Sequence, residues 1–89
     1  MRWGKMLQYP AIIHNDEDGL WLSFPDLNDS GTQGDTMEEL IENAEDMLSA
    51  YLEVLIEEGK PLPEPSSLNK EHVIYIKALI NLDAYKKVS

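Results

Sequence analysis

Asp16-Glu17-Asp18, with Asp26 and Asp35 further along, is the densest set of side chains in this sequence that could do chemistry. Three neighbouring carboxylates could bind a divalent cation. They sit in a turn before Gly19, however, and lack the alternating oxygen ligands of a calcium loop, so a solvated turn is the better reading. Asp16, Asp26 and Asp35 could also compose a two-metal nuclease site. No Lys or Arg stands among them to hold a phosphate substrate. His14 and His72 are far apart in the chain, and no Ser or Cys nucleophile motif frames either of them. There is no cysteine, which excludes disulfides, thiolate zinc ligands and a Cys nucleophile, and which fits a cytoplasmic protein. The sequence therefore predicts no catalytic residue, no cofactor, no metal and no enzyme.

Charge points elsewhere. The 89 residues carry a net charge of −10. Fourteen Asp and Glu stand between Asn15 and Glu58, and all seven Lys and Arg lie outside that window. Such a surface repels phosphate, which argues against direct binding of nucleic acid. It attracts a basic partner and speeds the encounter, although an acidic surface also serves solubility alone. No run of 18 apolar residues is present, so no transmembrane span is expected, and the N-terminus lacks the apolar stretch of a signal peptide.

The elements that must position these residues follow from periodicity. Met6–His14 reads as a strand, with Pro10 predicting an edge position or a bulge. Residues 15–19 read as a five-residue hairpin loop, Gly19 supplying a positive φ. Leu20, Leu22 and Phe24 alternate with Trp21 and Ser23 as a second strand. Asn28–Gly31 is a turn, and Thr32-Gln33 a short third strand. Met37, Leu40, Ile41, Ala44, Met47, Leu48, Tyr51, Leu52 and Leu55 then form one stripe of an amphipathic helix over about 37–58. Both Asp35 and Thr36 have capping-box spacing to a Glu, with Thr36 the preferred cap. Gly59, followed by prolines 61, 63 and 65, marks the helix stop. Residues 60–69 read as a linker and about 72–80 as a last strand. Asn81–Ser89 reads as the start of a connection.

The whole is a single domain over 1–89 of the α+β class, a β-β-β-α-β sheet with one long helix on one face. A helix between the third and fourth strands permits a parallel pairing by right-handed crossover. Ile74, Ile76, Ala78 and Ile80 belong to the helix side. The first strand turns either Tyr9 and Ile13 or Pro10 and Ile12 outward. Trp21, Tyr75 and Leu79 then lie on an open apolar face, which predicts a partner or a second copy, a homodimer or higher homo-oligomer. A domain this small buries only about 60–65% of its unfolded surface, so association would add stability.

Five stretches in order carry a family resemblance: Tyr9-Pro10-Ala11-Ile12-Ile13, the turn Asp16–Gly19, Trp21 to Leu27 ending in Phe24-Pro25-Asp26-Leu27, Thr32-Gln33-Gly34-Asp35-Thr36, and Glu38-Glu39-Leu40. The helix exit from Glu58 to Ser66 continues it. The series resembles the N-terminal domain of the HicB antitoxins. That resemblance implies a partial ribonuclease-H-like fold without nuclease activity, and binding to HicA, a small basic toxin that cleaves mRNA. It implies an antitoxin of a type II toxin–antitoxin system that sterically masks its toxin. The partner-binding candidates are Asp16, Asp18, Trp21, Phe24, Asp26, Asp29 and Asp35. Two departures stand out. Asn28-Asp29-Ser30, then Gly31, replaces the family's Pro-Gly-Cys and aromatic. The family's C-terminal DNA-binding domain would begin near Ser89, so it has either been removed or is lacking in a short member. The competing expectations are an orphan homo-oligomeric regulator and a metal-dependent nuclease of ribonuclease-H type.

Overall fold

A computed structural model describes residues 4–81. Strand β1 (Gly4–Asp16) leads into β2 (Gly19–Phe24), a short 3-10 turn (Pro25–Leu27), β3 (Ser30–Gly34), helix α1 (Met37–Glu57) and β4 (Val73–Asn81). The sheet order is β3-β2-β1-β4, and every pairing is antiparallel. The sequence-predicted β-β-β-α-β order is present. The parallel pairing that the crossover permitted is not found among the described residues. β4 joins β1 at the edge opposite β3, so α1 and the linker carry the chain across the whole sheet.

Two local expectations change. The hairpin loop is two residues, Glu17-Asp18, because Asn15 pairs with Leu20 and Asp16 with Gly19. Gly19 has φ 104, in the region only glycine enters without strain, and this is what lets so short a loop close. Pro10 lies in an interior strand, not an edge strand. It pairs with Tyr75 of β4, but β2 reaches β1 only as far as Ile12. At Pro10 the strand therefore has one strand neighbour, and its missing N–H need not interrupt a second ladder.

Period-two alternation sorts the sheet into faces. Leu7, Tyr9, Ala11 and Ile13 of β1 share a face with Leu22 and Phe24 of β2 and Ile74, Ile76, Ala78 and Ile80 of β4. Most of these are buried beneath α1, Tyr9, Ala11, Leu22 and Phe24 completely. Tyr9 is thus a core residue, and Pro10 and Ile12 take the opposite face. The helix contributes Leu40, Ala44, Leu48, Leu52 and Ile56, a step of four residues, with Ile41, Met47, Tyr51 and Leu55 half-buried on the flanks. Ile56 was absent from the predicted stripe, and Met37 within it is exposed. A step of four on a 3.6-residue period rotates by about 40° each time, so the buried line drifts around the helix and ends on Ile56.

Both helix ends are capped, the first by side chains and the second by backbone. The Thr36 hydroxyl accepts from the Glu39 N–H at 3.1 Å, and the Glu39 carboxylate accepts from the Asp35 N–H at 2.8 Å. Thr36 is the cap, and Asp35 takes part through its backbone. At the other end Glu58 is the C-cap. Lys60 N–H donates to Leu55 and Gly59 N–H to Ile56, with Gly59 at φ 70.

At Gly34 the backbones of sheet and helix come close together. A Cβ there would lie 2.6 Å from the Leu40 nitrogen and 2.8 Å from its Cα, and neither backbone atom can give way. Gly34→Ala is expected to destabilise the fold by about 1–3 kcal/mol through overpacking. Urea denaturation checks this, with an unchanged midpoint as the contrary result.

Candidate functional site

The hairpin tip assembles around one carboxylate. Asp16 ends β1, and one of its oxygens accepts from the Asp18 N–H at 2.9 Å. The other accepts from the indole N–H of Trp21 at 3.1 Å. Trp21 lies flat on His14, with ring centroids 3.8 Å apart and planes at 14°. The His14 Nε2 is 3.1 Å from the Ser23 hydroxyl. Asp16, Trp21, His14 and Ser23 therefore form a continuous line across the outer sheet face, and the indole is fixed before any partner arrives.

His14 and Ser23 belong to this arrangement, yet neither was a predicted binding residue. A five-residue loop would have set His14 opposite Leu20; the two-residue loop sets it opposite Trp21. A one-residue slip exchanges every neighbour in a hairpin, and the signal that could have found the stack was the Asp18-Gly19 pair at the turn.

Asp18 and Asp35 come together on the β3 side of the tip. With Thr32, Gln33, Glu39 and Asn43 they border a polar concavity of about 520 Å³. Asn43 of the helix donates to the Gln33 carbonyl at 2.9 Å and holds the β3 edge to α1. Among the described residues no group of three or more His, Cys, Asp or Glu converges as metal ligands would.

The remaining candidates lie elsewhere. Asp26 and Asp29 follow Phe24 at the opposite end of β2 from Asp16 and Asp35, so the triad required for a nuclease is not assembled. Asp26 is engaged internally: its carboxylate accepts from the Ser66 N–H at 2.8 Å and from the Ser66 hydroxyl. Asp29 is exposed in the left-handed turn, at φ 59 after Asn28 at φ 57. Phe24 is completely buried in the core, which corrects its place among the partner-binding residues, since a side chain without exposed surface cannot be offered to a partner. Its alternation with Trp21 already assigned it to the helix side.

The linker, too, is tied down. Besides the Asp26–Ser66 clasp, the Tyr9 hydroxyl donates to the Pro63 carbonyl at 2.8 Å. The Tyr75 hydroxyl accepts from the Leu68 N–H at 2.9 Å and donates to the Leu68 carbonyl at 3.2 Å. Leu62 packs on the core.

A four-stranded antiparallel sheet with one long helix is also the fold of a solved toxin–antitoxin complex from Streptococcus pneumoniae. That chain is 18% identical, with a TM-score of 0.73 over 96% of this chain and 74% of that one. A HicA3 and HicB3 toxin–antitoxin complex gives 28% identity and a TM-score of 0.59, covering 81% of this chain and 95% of that one. Residues 8–85 match the family model of the HicB_like antitoxin of bacterial toxin–antitoxin systems. Antitoxin HicB 1 of Photorhabdus laumondii is 36% identical over 70 residues, 78% of this chain and 45% of its own length. This chain belongs to the HicB-like antitoxin family. It spans about half the length of the curated relatives it matches.

Tyr9 yields a prediction for the clasped end. Burial pushes its phenol above the usual 10.0, and the carboxylates of Asp26 and then Glu64 add to the shift. The folded chain thus holds the phenolic proton more tightly than the unfolded chain does. The resulting stabilisation is complete below pH 10.0 and is lost as pH rises through the higher folded value. Tyr9→Phe loses about 1 kcal/mol of hydrogen bonding at neutral pH. Its stability then falls less steeply above pH 10.0 than that of the wild type, as measured by urea midpoints against pH. Parallel alkaline limbs would contradict this account.

Proposed function

We propose that this chain is the antitoxin of a type II toxin–antitoxin pair. It binds a small basic mRNA-cleaving toxin of the HicA type in the cytoplasm and masks it sterically, performing no reaction and contacting no nucleic acid itself. The observation that carries this reading is the family match over residues 8–85. The charge distribution supports it. Helix α1 bears seven carboxylates and no Lys or Arg, and the one ion pair among the described residues joins Lys60 to Glu58 at 3.1 Å. Acidic side chains with no counter-ion among the described residues are suited to meet a surface shaped to hold RNA.

Co-expression with any small basic protein encoded beside it tests the reading. A complex should form at low salt, and association should slow as salt screens the charges. Absence of a complex with both proteins folded, or magnesium-dependent RNA cleavage by this chain alone, would refute it.

We propose further that copies of the chain self-associate through the β1–β4 half of the outer face. Met6, Tyr75 and Leu79 there are 53%, 44% and 65% exposed. The other positions on this face are Gln8, Ile12, Val73 and Lys77, with Pro10 buried among them, so neither strand puts a carboxylate there, and Glu45 and Asp46 of α1 stand only at its border beside Met6 and Leu79. Two chains of charge −10 meet with least repulsion there. Leu79→Asp is expected to shift the sedimentation profile to the monomer; a wild-type monomer at all concentrations would exclude the homomer.

A further inference from the structure

The indole of Trp21 has two faces, and one of them is stacked on His14. His14 covers the side toward β1 at 3.8 Å. On the other side the register sets Gln33 of β3 directly beside Trp21 on the same sheet face. Between them opens a concavity of about 460 Å³ lined by Asp18, Trp21, Gly31, Thr32 and Gln33. Gly31 leaves its floor bare. A Cβ at that position would run into the Leu22 carbonyl, so the strand pairing itself keeps the floor free of a side chain.

We propose that this concavity seats an arginine side chain of a basic partner protein. The inference rests on the reading of the chain as the binder of a basic protein and names a contact that reading leaves open. The lining selects the ligand. An indole face attracts a cation through its quadrupole, and tryptophan does so best of the aromatic side chains. The carboxylate of Asp18 and the amide of Gln33 are acceptors at the rim for the N–H edge of a guanidinium stacked on the ring. A planar guanidinium stacks and donates at the same time, whereas the compact ammonium of lysine does not present that combination. An anion is disfavoured by Asp18. An apolar side chain is disfavoured because Asp18 and Gln33 would lose water without gaining partners.

Pre-organisation adds to the argument. The indole is held at its N–H by Asp16 at 3.1 Å and at its rear face by His14, so little freedom remains to be lost when a ligand arrives. Asp16 is a positioning residue, while Trp21, Asp18 and Gln33 touch the ligand.

Titration of the full chain with N-acetylarginine amide at low salt, followed by NMR of the indole N–H, tests the site. N-acetyllysine amide serves as the control of equal charge. Trp3→Phe identifies which of the two indole signals belongs to Trp21. The expected result is a saturable shift of the Trp21 signal, with arginine binding about threefold more tightly than lysine. Trp21→Leu should abolish the preference. Asp18→Asn, an exposed change in the turn, should weaken arginine binding and keeps the test open if Trp21→Leu fails to fold. Equal binding of both probes, an unmoved indole, or Asp18→Asn binding arginine as the wild type does would overturn the proposal. A basic protein that co-purifies equally with wild type, Trp21→Leu and Asp18→Asn would sink this contact while leaving the antitoxin reading intact. Arginine binding without any such complex would do the reverse.

Discussion

Burial of one helix stripe against one sheet face is the interaction on which the rest of this molecule depends. Taken alone, α1 is a poor helix. Glu38 and Glu42, Glu42 and Asp46, and Glu53 and Glu57 are like charges four residues apart, each pair mildly destabilising. Glu57 and Glu58 stand at the end where the helix dipole favours cations. Leu40, Leu48, Leu52 and Ile56 are buried against the sheet, and each such side chain contributes about 1.5–3 kcal/mol. That contribution outweighs several surface repulsions of a few tenths of a kcal/mol. The packed side of the helix therefore carries stability, and the exposed side is free to carry a sign of charge that no isolated helix would favour.

The sheet divides its labour in a comparable way. Its inner face is the floor of the core. Its outer face has two territories: a largely apolar one across β1 and β4, to which neither strand contributes a carboxylate, and one at the hairpin tip where Trp21 is braced by Asp16 and His14. The linker joins the inner and outer sides at the far end, through Tyr9, Asp26 and Tyr75. Carboxylates that look equivalent in the sequence are thereby given different work. Asp26 clasps Ser66, Asp16 holds an indole, and Asp18 remains at the rim of a concavity.

Much of the fold was legible because its signals are local and redundant. Thr36, Glu39 and Gly59 mark the ends of α1, and the stripe between them needs only the 3.6-residue period. The alternation in β2 and β4 identified the core face correctly. What escaped was set by register and by long-range pairing. The choice of β1 as an interior strand depends on where β4 docks, and nothing near Pro10 encodes that. The loop length was off by three residues, which hid the His14–Trp21 stack. Asp26 resembled a ligand because its partner, Ser66, lies 40 residues away and carries no pattern of its own. Phe24 was the avoidable miss, since its face followed from the same alternation that placed Leu22.

The antiparallel pairing of the two longest strands has one more consequence. Gly4 at the start of β1 stands opposite Asn81 at the end of β4, so chain entry and exit share one corner of the sheet. Asp16 lies at the other end of β1, about 40 Å away if its 12 steps advance about 3.3 Å each. The described chain thus enters and leaves the sheet at the pole remote from the hairpin tip. A guest docked at the tip would therefore leave both ends of the described chain uncovered.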